Sequence, residues 1–201
     1  DGNTALHLAA GLGQLSALSK LLGHTQFFAT AACNKDGHTA LHMAVAMLQL
    51  AAVKVLLDHP RFMEVNAKDA DGNSALHTAA ALGHGGMLRL LLEHPRFKGA
   101  DDVNDCGGTA LHVAARTCQL EAVAVLLGHS KFTQANAKNM DGNTALHFAA
   151  KKGDAEIAKT LLEHPRFTEV ETRNLAGKTA LHLATSLEMH TVVQVLQTQV
   201  A

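Results

Sequence analysis

Residues 141–150 read Asp-Gly-Asn-Thr-Ala-Leu-His-Phe-Ala-Ala, and the middle of that stretch returns along the whole chain. Thr-Ala-Leu-His occurs six times in 201 residues, once with Ser for Thr, every 35 residues. Its histidines are His7, His42, His77, His112, His147 and His182. Two residues before each Thr or Ser stands a glycine: Gly2, Gly37, Gly72, Gly107, Gly142 and Gly177. A fixed period in the range of about 20–50 residues signals like supersecondary units stacked into an array, not a closed globule. One elongated domain over 1–201 is expected, with repeats at 1–35, 36–70, 71–105, 106–140, 141–175 and 176–201. Function then resides on an extended surface more than in a cleft.

Composition narrows the function classes. Apolar residues make up 47% of the chain and aromatics 3%, with no Trp or Tyr, so the core is built from Leu and Ala. The net charge of −1 argues against a nucleic-acid binder, which would carry a basic excess. No transmembrane segment is expected, because no stretch approaches the roughly 18 apolar residues a spanning helix needs. No signal peptide is expected either, because the first residues show no charged-then-apolar pattern. Cys33, Cys106 and Cys118 are odd in number and occupy unrelated slots, which reads as free thiols in a reducing compartment. The expected location is inside the cell, in the cytoplasm or the nucleus.

The fifth copy shows what one unit builds. Asp141-Gly142-Asn143 is turn chemistry, with Gly free to take positive φ. Thr144 stands at an N-cap, and Ala145 to Ala150 follow as a short helix that Gly153 ends. A second helix over about Asp154–Glu163 carries Ile157, Leu161 and Leu162 on one face, with Asp154 capping it. His164-Pro165 stops that helix, since a residue before Pro is pushed out of helical geometry. Arg166 to Leu175 then return as a loop.

The array resembles the ankyrin repeat, whose Thr-Pro-Leu-His-x-Ala signature is matched in all six copies with Ala for Pro. The period is 35, against the family's usual length of about 33. The extra length follows the second helix, as His-Pro-Arg-Phe at His59–Phe62, His94–Phe97 and His164–Phe167. Looser versions stand at His24–Phe27 and His129–Phe132. The resemblance implies an all-α solenoid of helix-turn-helix repeats with finger loops. It also implies a protein or peptide partner held in the concave groove between the fingers and the exposed ends of the first helices. Asn66 and Asn136 resemble finger asparagines that some ankyrin proteins have hydroxylated, although turn formation is the plainer role.

Each ladder of repeated residues has a structural and a functional reading. Six histidines suggest metal or acid–base chemistry, but equivalent residues one repeat apart are too far apart to share a zinc ion. In the ankyrin family this histidine resembles a structural residue bonding backbone and the Thr hydroxyl. Phe27, Phe62, Phe97, Phe132 and Phe167 read as core plugs between helix pairs rather than as a binding stripe. Arg61, Arg96, Lys131 and Arg166, with Gln26 in the first copy, read as a solvated loop row or a strip for anionic lipid or a phospho-ligand. Cys118 takes the inter-helix slot that holds Gly13, Gly83 and Gly153, and no third group orients His112 toward it. No metal site, cofactor or catalytic residue is expected, and the chain is not expected to be an enzyme.

Slots that differ between otherwise repeated units are free of core duty. At the ends of the first helices these include Leu12, Met47, Leu82, Arg116, Lys151 and Lys152, and on the fingers His38, Asn73, Met140, Asn143 and Lys178. The apolar members come first and the basic ones later, which suggests a peptide partner with an apolar half and an acidic half. Gly85-Gly86 early in a second helix, and the acidic loop around Asp101, Asp102 and Asp105, suggest drift or a flex point in the third copy. The first copy lacks a polar shield, and Gln194, Gln197, Thr198 and Gln199 give the last copy a polar second helix. The chain thus reads as part of a longer protein. The expectation is a monomeric protein-interaction scaffold, the alternative a regulatory or localising segment of a larger enzyme or channel.

Overall fold

The computed structural model describes residues 1–25 and 31–200, the side chains of 199 and 200 excepted. Gln26 and Phe27, assigned above to the basic row and the aromatic ladder, lie outside the described residues, as does the side chain of Gln199. Twelve α-helices are present among the described residues, in pairs that follow the repeat. First helices are α1 (Ala5–Gly11), α3 (Ala40–Ala46), α5 (Ala75–Ala81), α7 (Ala110–Arg116), α9 (Ala145–Lys152) and α11 (Ala180–Ser186). Second helices are α2 (Leu15–Gly23), α4 (Leu50–Asp58), α6 (Gly85–Glu93), α8 (Leu120–Gly128), α10 (Ala155–Glu163) and α12 (His190–Val200). Isolated β-bridges pair Lys68 with Ser74 and Val103 with Thr109.

The chain divides into two compact units, Asp1–Ala79 with His84–Ala100, and Ala80–Gly83 with Asp101–Ala201. In the first, α1 packs on α3 and α2 on α4, while α1 also packs on α2 and α3 on α4. In the second, the first-helix layer runs α7, α9, α11 and the second-helix layer α8, α10, α12. Small residues let the first helices approach: Ala9, Ala10, Ala44, Ala114, Ala115, Ala149 and Ala150 are buried. Leu18, Leu22, Val53, Leu56, Leu57, Leu126, Leu127, Ile157 and Leu161 supply the matching face of the second helices.

The turn between paired helices needs a left-handed residue. Gly13, Gly83 and Gly153 take φ of +66°, +70° and +73°, while Leu48, Cys118 and Glu188 take 57°, 60° and 57° without being glycine. Left-handed geometry costs an L-residue about 1–2 kcal/mol, partly offset because glycine loses more freedom on folding. Glu188 is exposed, so Glu188→Gly removes the strain and little else. Urea denaturation is expected to show a gain of about 0.5–1 kcal/mol. A loss would show that the carboxylate, not the backbone, matters there.

Two features of the third copy have packing reasons. His84 caps α6, its Nδ1 accepting from the Met87 N–H at 3.1 Å. A Cβ on Gly86 would stand 3.2 Å from Cε1 of that ring, so this glycine makes room for its own cap. Asp101 occupies the slot of Asn66 and Asn136 and accepts from the Thr133 N–H at 2.7 Å and the Thr133 hydroxyl at 2.5 Å.

Candidate partner-binding site

The recurring histidines set the framework on which the variable residues sit. In each copy the backbone N–H of the Thr or Ser donates to His Nδ1, at 3.1 Å for His7, His112 and His147 and 3.2 Å for His42 and His77. That nitrogen is therefore unprotonated, and the proton resides on Nε2. Nε2 then donates to a finger carbonyl of the next repeat: His7 to His38, His42 to Asn73, His112 to Asn143 and His147 to Lys178, at 2.8, 3.1, 3.0 and 3.1 Å. Each of these rings is buried. His182 differs: it is exposed and, among the described residues, bonds only Thr179, so it joins no two repeats.

Burial holds His42 below the ordinary histidine pKa, against the opposing pull of the Asn73 carbonyl and Asp69, with His38 and His77 reinforcing it. Burial does the same to His147, opposed by the Lys178 and Thr172 carbonyls and reinforced by Lys138. Well above about pH 6.5 both rings are neutral whether folded or unfolded, and their contribution to stability does not change with pH. As pH falls through that value the unfolded chain takes up protons that the folded chain refuses, so stability drops until the lowered folded pKa is passed. The urea midpoint is expected to be lower at about pH 5.5 than at about pH 7.5, with His42→Gln and His147→Gln together reducing the difference. A midpoint that rises on acidification would contradict these bonds.

The fingers are shaped by side chains that mimic turns. Oδ1 of Asn34, Asp69, Asn139 and Asn174 each accepts from the backbone N–H groups two and four residues on. Successive tips are tied by Lys35 N–H to Asp1 O, Ala70 to Asp36, Met140 to Cys106 and Leu175 to Asp141. Gly37, two residues before its capping Thr39, is needed for closeness as well as φ, since a Cβ there would collide with the backbone of Asp69 and Ala70. Finger side chains add pairs between neighbours. Asn34 Nδ2 donates to Asn3 at 2.9 Å and Asn174 Nδ2 to Asn143 at 2.8 Å. His38 Nε2 lies 3.6 Å from Asp69 Oδ2, and its ring stacks on His42.

The basic row departs from its expected role. Arg61 Nη1 donates to the carbonyls of Leu22 and His24, Arg96 Nη1 to Leu57 and His59, and Arg166 Nη1 to Leu127 and His129, at 2.6–3.0 Å. Arg96 Nη2 also donates to the Phe62 carbonyl. These guanidiniums close the C-termini of the preceding repeat's second helices, where carbonyls are orphaned and the dipole is negative. Three of the row's four cations are thus committed inside the fold, which corrects the reading of a strip offered to anionic lipid. The tetrapeptide itself is a turn: Phe62, Phe97, Phe132 and Phe167 donate their N–H to the histidine carbonyl three residues back, and all four rings are buried. Asn66 and Asn136 clasp the next repeat, each donating to an Arg carbonyl (Arg96, Arg166) and accepting from the N–H of Lys98 or Thr168.

The helix-end residues expected to meet a partner face solvent. Leu12 is 66% exposed, Met47 55% and Leu82 43%. Arg116, Lys151 and Lys152 are exposed as well. Leu12 and Met47 belong to the first unit; Leu82 and the three cations belong to the second, so no continuous row of all six is described. Met140 is 68% exposed and Lys178 is exposed, whereas His38, Asn73 and Asn143 are half-buried and contribute carbonyls to the histidine bonds. One slot escaped the sequence reading, the residue after each signature histidine. Leu8 is exposed and Met43, Thr78 and Phe148 are half-buried, one helical turn before the end residues and on the same face. The ring of Phe148 meets that of His112 edge-on at 6.0 Å. The signal was available: i, i+3 and i+4 spacing from Leu8 leads to Gly11 and Leu12.

Chemistry finds little footing here. Among the described residues no group of three His, Cys, Asp or Glu could hold a metal ion. Desolvation, then the Asp154 carboxylate, raises the Cys118 thiol above its ordinary pKa, the opposite of an activated nucleophile. No helix among the described residues is long and apolar enough to cross a membrane.

Comparisons with known proteins agree with this geometry. The family described as ankyrin repeats (3 copies) matches residues 1–69, 61–139 and 131–200. No curated protein sequence matches the chain. Among solved structures, the chain is similar to the ankyrin repeat domain of Bcl-3, titled a unique member of the IkappaB protein family. The two share 29% identity with a TM-score of 0.85, over 100% of this chain and 88% of that one.

Proposed function

The chain belongs to the ankyrin repeat family, and from that premise we propose that it is a protein-interaction scaffold without chemistry of its own. Ankyrin repeats generally mediate protein–protein interaction. The partner is held by the exposed ends of the first helices and the finger tips beside them. The observation that carries this is a division of labour within each repeat. Recurring His, Thr, Arg, Asn and Phe residues are spent on bonds or burial inside the fold, while Leu12, Met47 and Met140 stand in solvent. Large apolar side chains left exposed on a helix face contribute most when a partner covers them.

Affinity purification from the source cells tests the proposal. The intact chain is expected to recover a specific protein, and Leu12→Asp with Met47→Asp to lower that recovery about tenfold with circular dichroism unchanged. Equal recovery by a folded double variant would discard the helix-end surface. The cytoplasm is the proposed compartment, and the free thiols Cys33, Cys106 and Cys118 support it.

A further inference from the structure

The scaffold reading leaves open what the partner is made of, and the second unit bears on that. Arg116 closes α7, and Lys151 and Lys152 close α9, which packs beside it. All three are exposed, and none of their side chains has a salt bridge or hydrogen bond within the described structure. Arg61, Arg96 and Arg166, by contrast, are clipped to carbonyls, and Lys159 faces Glu163. The helices α7, α9 and α11 contain no Asp or Glu. Asp154, whose charge reaches Cys118 together with that of Lys152, spends its carboxylate on the Ile157 N–H at 3.0 Å, capping α10.

Helix C-termini favour positive charge, but one cation per end meets that need, and its benefit does not require the charge to remain unpaired. The same unit exposes apolar side chains: Phe148, half-buried one turn back on α9, and Met140 at 68% and Leu175 at 81% exposure on the fingers.

We infer that the first-helix ends and fingers of the second unit receive an acidic polypeptide segment, its carboxylates meeting Arg116, Lys151 and Lys152 and its apolar side chains meeting Phe148, Met140 and Leu175. This rests on the scaffold reading above. A peptide fits better than a nucleic acid, because the cations are few, exposed apolar side chains belong to the same unit and the whole chain carries a net charge of −1.

Selection of a random-peptide library on the intact chain tests it, followed by fluorescence anisotropy of the selected peptides. Enriched peptides are expected to combine Asp or Glu with Leu, Ile or Phe. Their affinity should fall about tenfold or more in the Arg116→Glu, Lys151→Glu, Lys152→Glu variant. On the unaltered chain it should fall as salt rises, which needs no variant to fold. Peptides without acidic residues, bound equally by the variant, would overturn the inference while leaving the scaffold reading in place. A single-stranded oligonucleotide that displaces the peptides at lower concentration would overturn it in favour of nucleic acid. Failure to enrich any peptide would overturn both.

Discussion

Replacing Phe132 with Ala is expected to cost about 3–5 kcal/mol, a large share of the stability of a domain this size. The ring is fully buried, and its backbone N–H is already committed to the His129 carbonyl at 3.2 Å. The backbone therefore cannot swing inward to refill the space without breaking the turn that delivers the ring. Close packing around it, from the helices the turn follows, turns lost volume into lost contact rather than relaxation. Chemical denaturation measures this directly, and Met140→Ala serves as its companion. Met140 is 68% exposed, so its truncation is expected to change stability by no more than about 0.5 kcal/mol. A Phe132→Ala cost near that of Met140→Ala would mean that the aromatic ladder is not core.

His112→Ala is expected to be the next most damaging, at about 1–3 kcal/mol. The substitution strands the Thr109 N–H, the Thr109 hydroxyl at 2.9 Å from Nδ1 and the Asn143 carbonyl at 3.0 Å from Nε2. Thr109 is itself buried, so water cannot readily replace the ring. His182→Ala removes the same residue type from an exposed place without a cross-repeat bond, and its cost is expected to stay below about 1 kcal/mol. Equal losses at the two positions would show that the bond to the local Thr, not the bond to the next repeat, supplies the stability.

Much of the fold is legible in one repeat. Thr144 as N-cap, Gly153 in the left-handed region, Asp154 capping α10 and His164 ending it all stand where local chemistry puts them. These effects act within a few residues, so a single sequence contains them. What one repeat does not reveal acts across repeats. Arg96 bonds carbonyls at Leu57 and His59, and Asn66 bonds the backbone of Arg96 and Lys98, each more than two dozen residues away. Nothing in the local pattern distinguishes such an arginine from a solvated one. Gly86 reads as a helix weakness because its relation to the His84 ring is a matter of side-chain direction, not spacing. On the site, helix ends are legible because they vary between copies. The slot of Leu8, Met43 and Phe148 varies too, but it lies between the recurring His and Ala of the signature, and only its spacing of four from the helix end marks it as surface.

Long-range proton–nitrogen NMR of the imidazole rings at neutral pH tests most directly whether these histidines join one repeat to the next. His42, His112 and His147 are expected as the neutral tautomer, protonated on Nε2, with an Nε2 proton protected from exchange and Nδ1 unprotonated. His182 is expected to exchange freely. Rings protonated on Nδ1, or averaging between tautomers as fast as His182, would contradict the account.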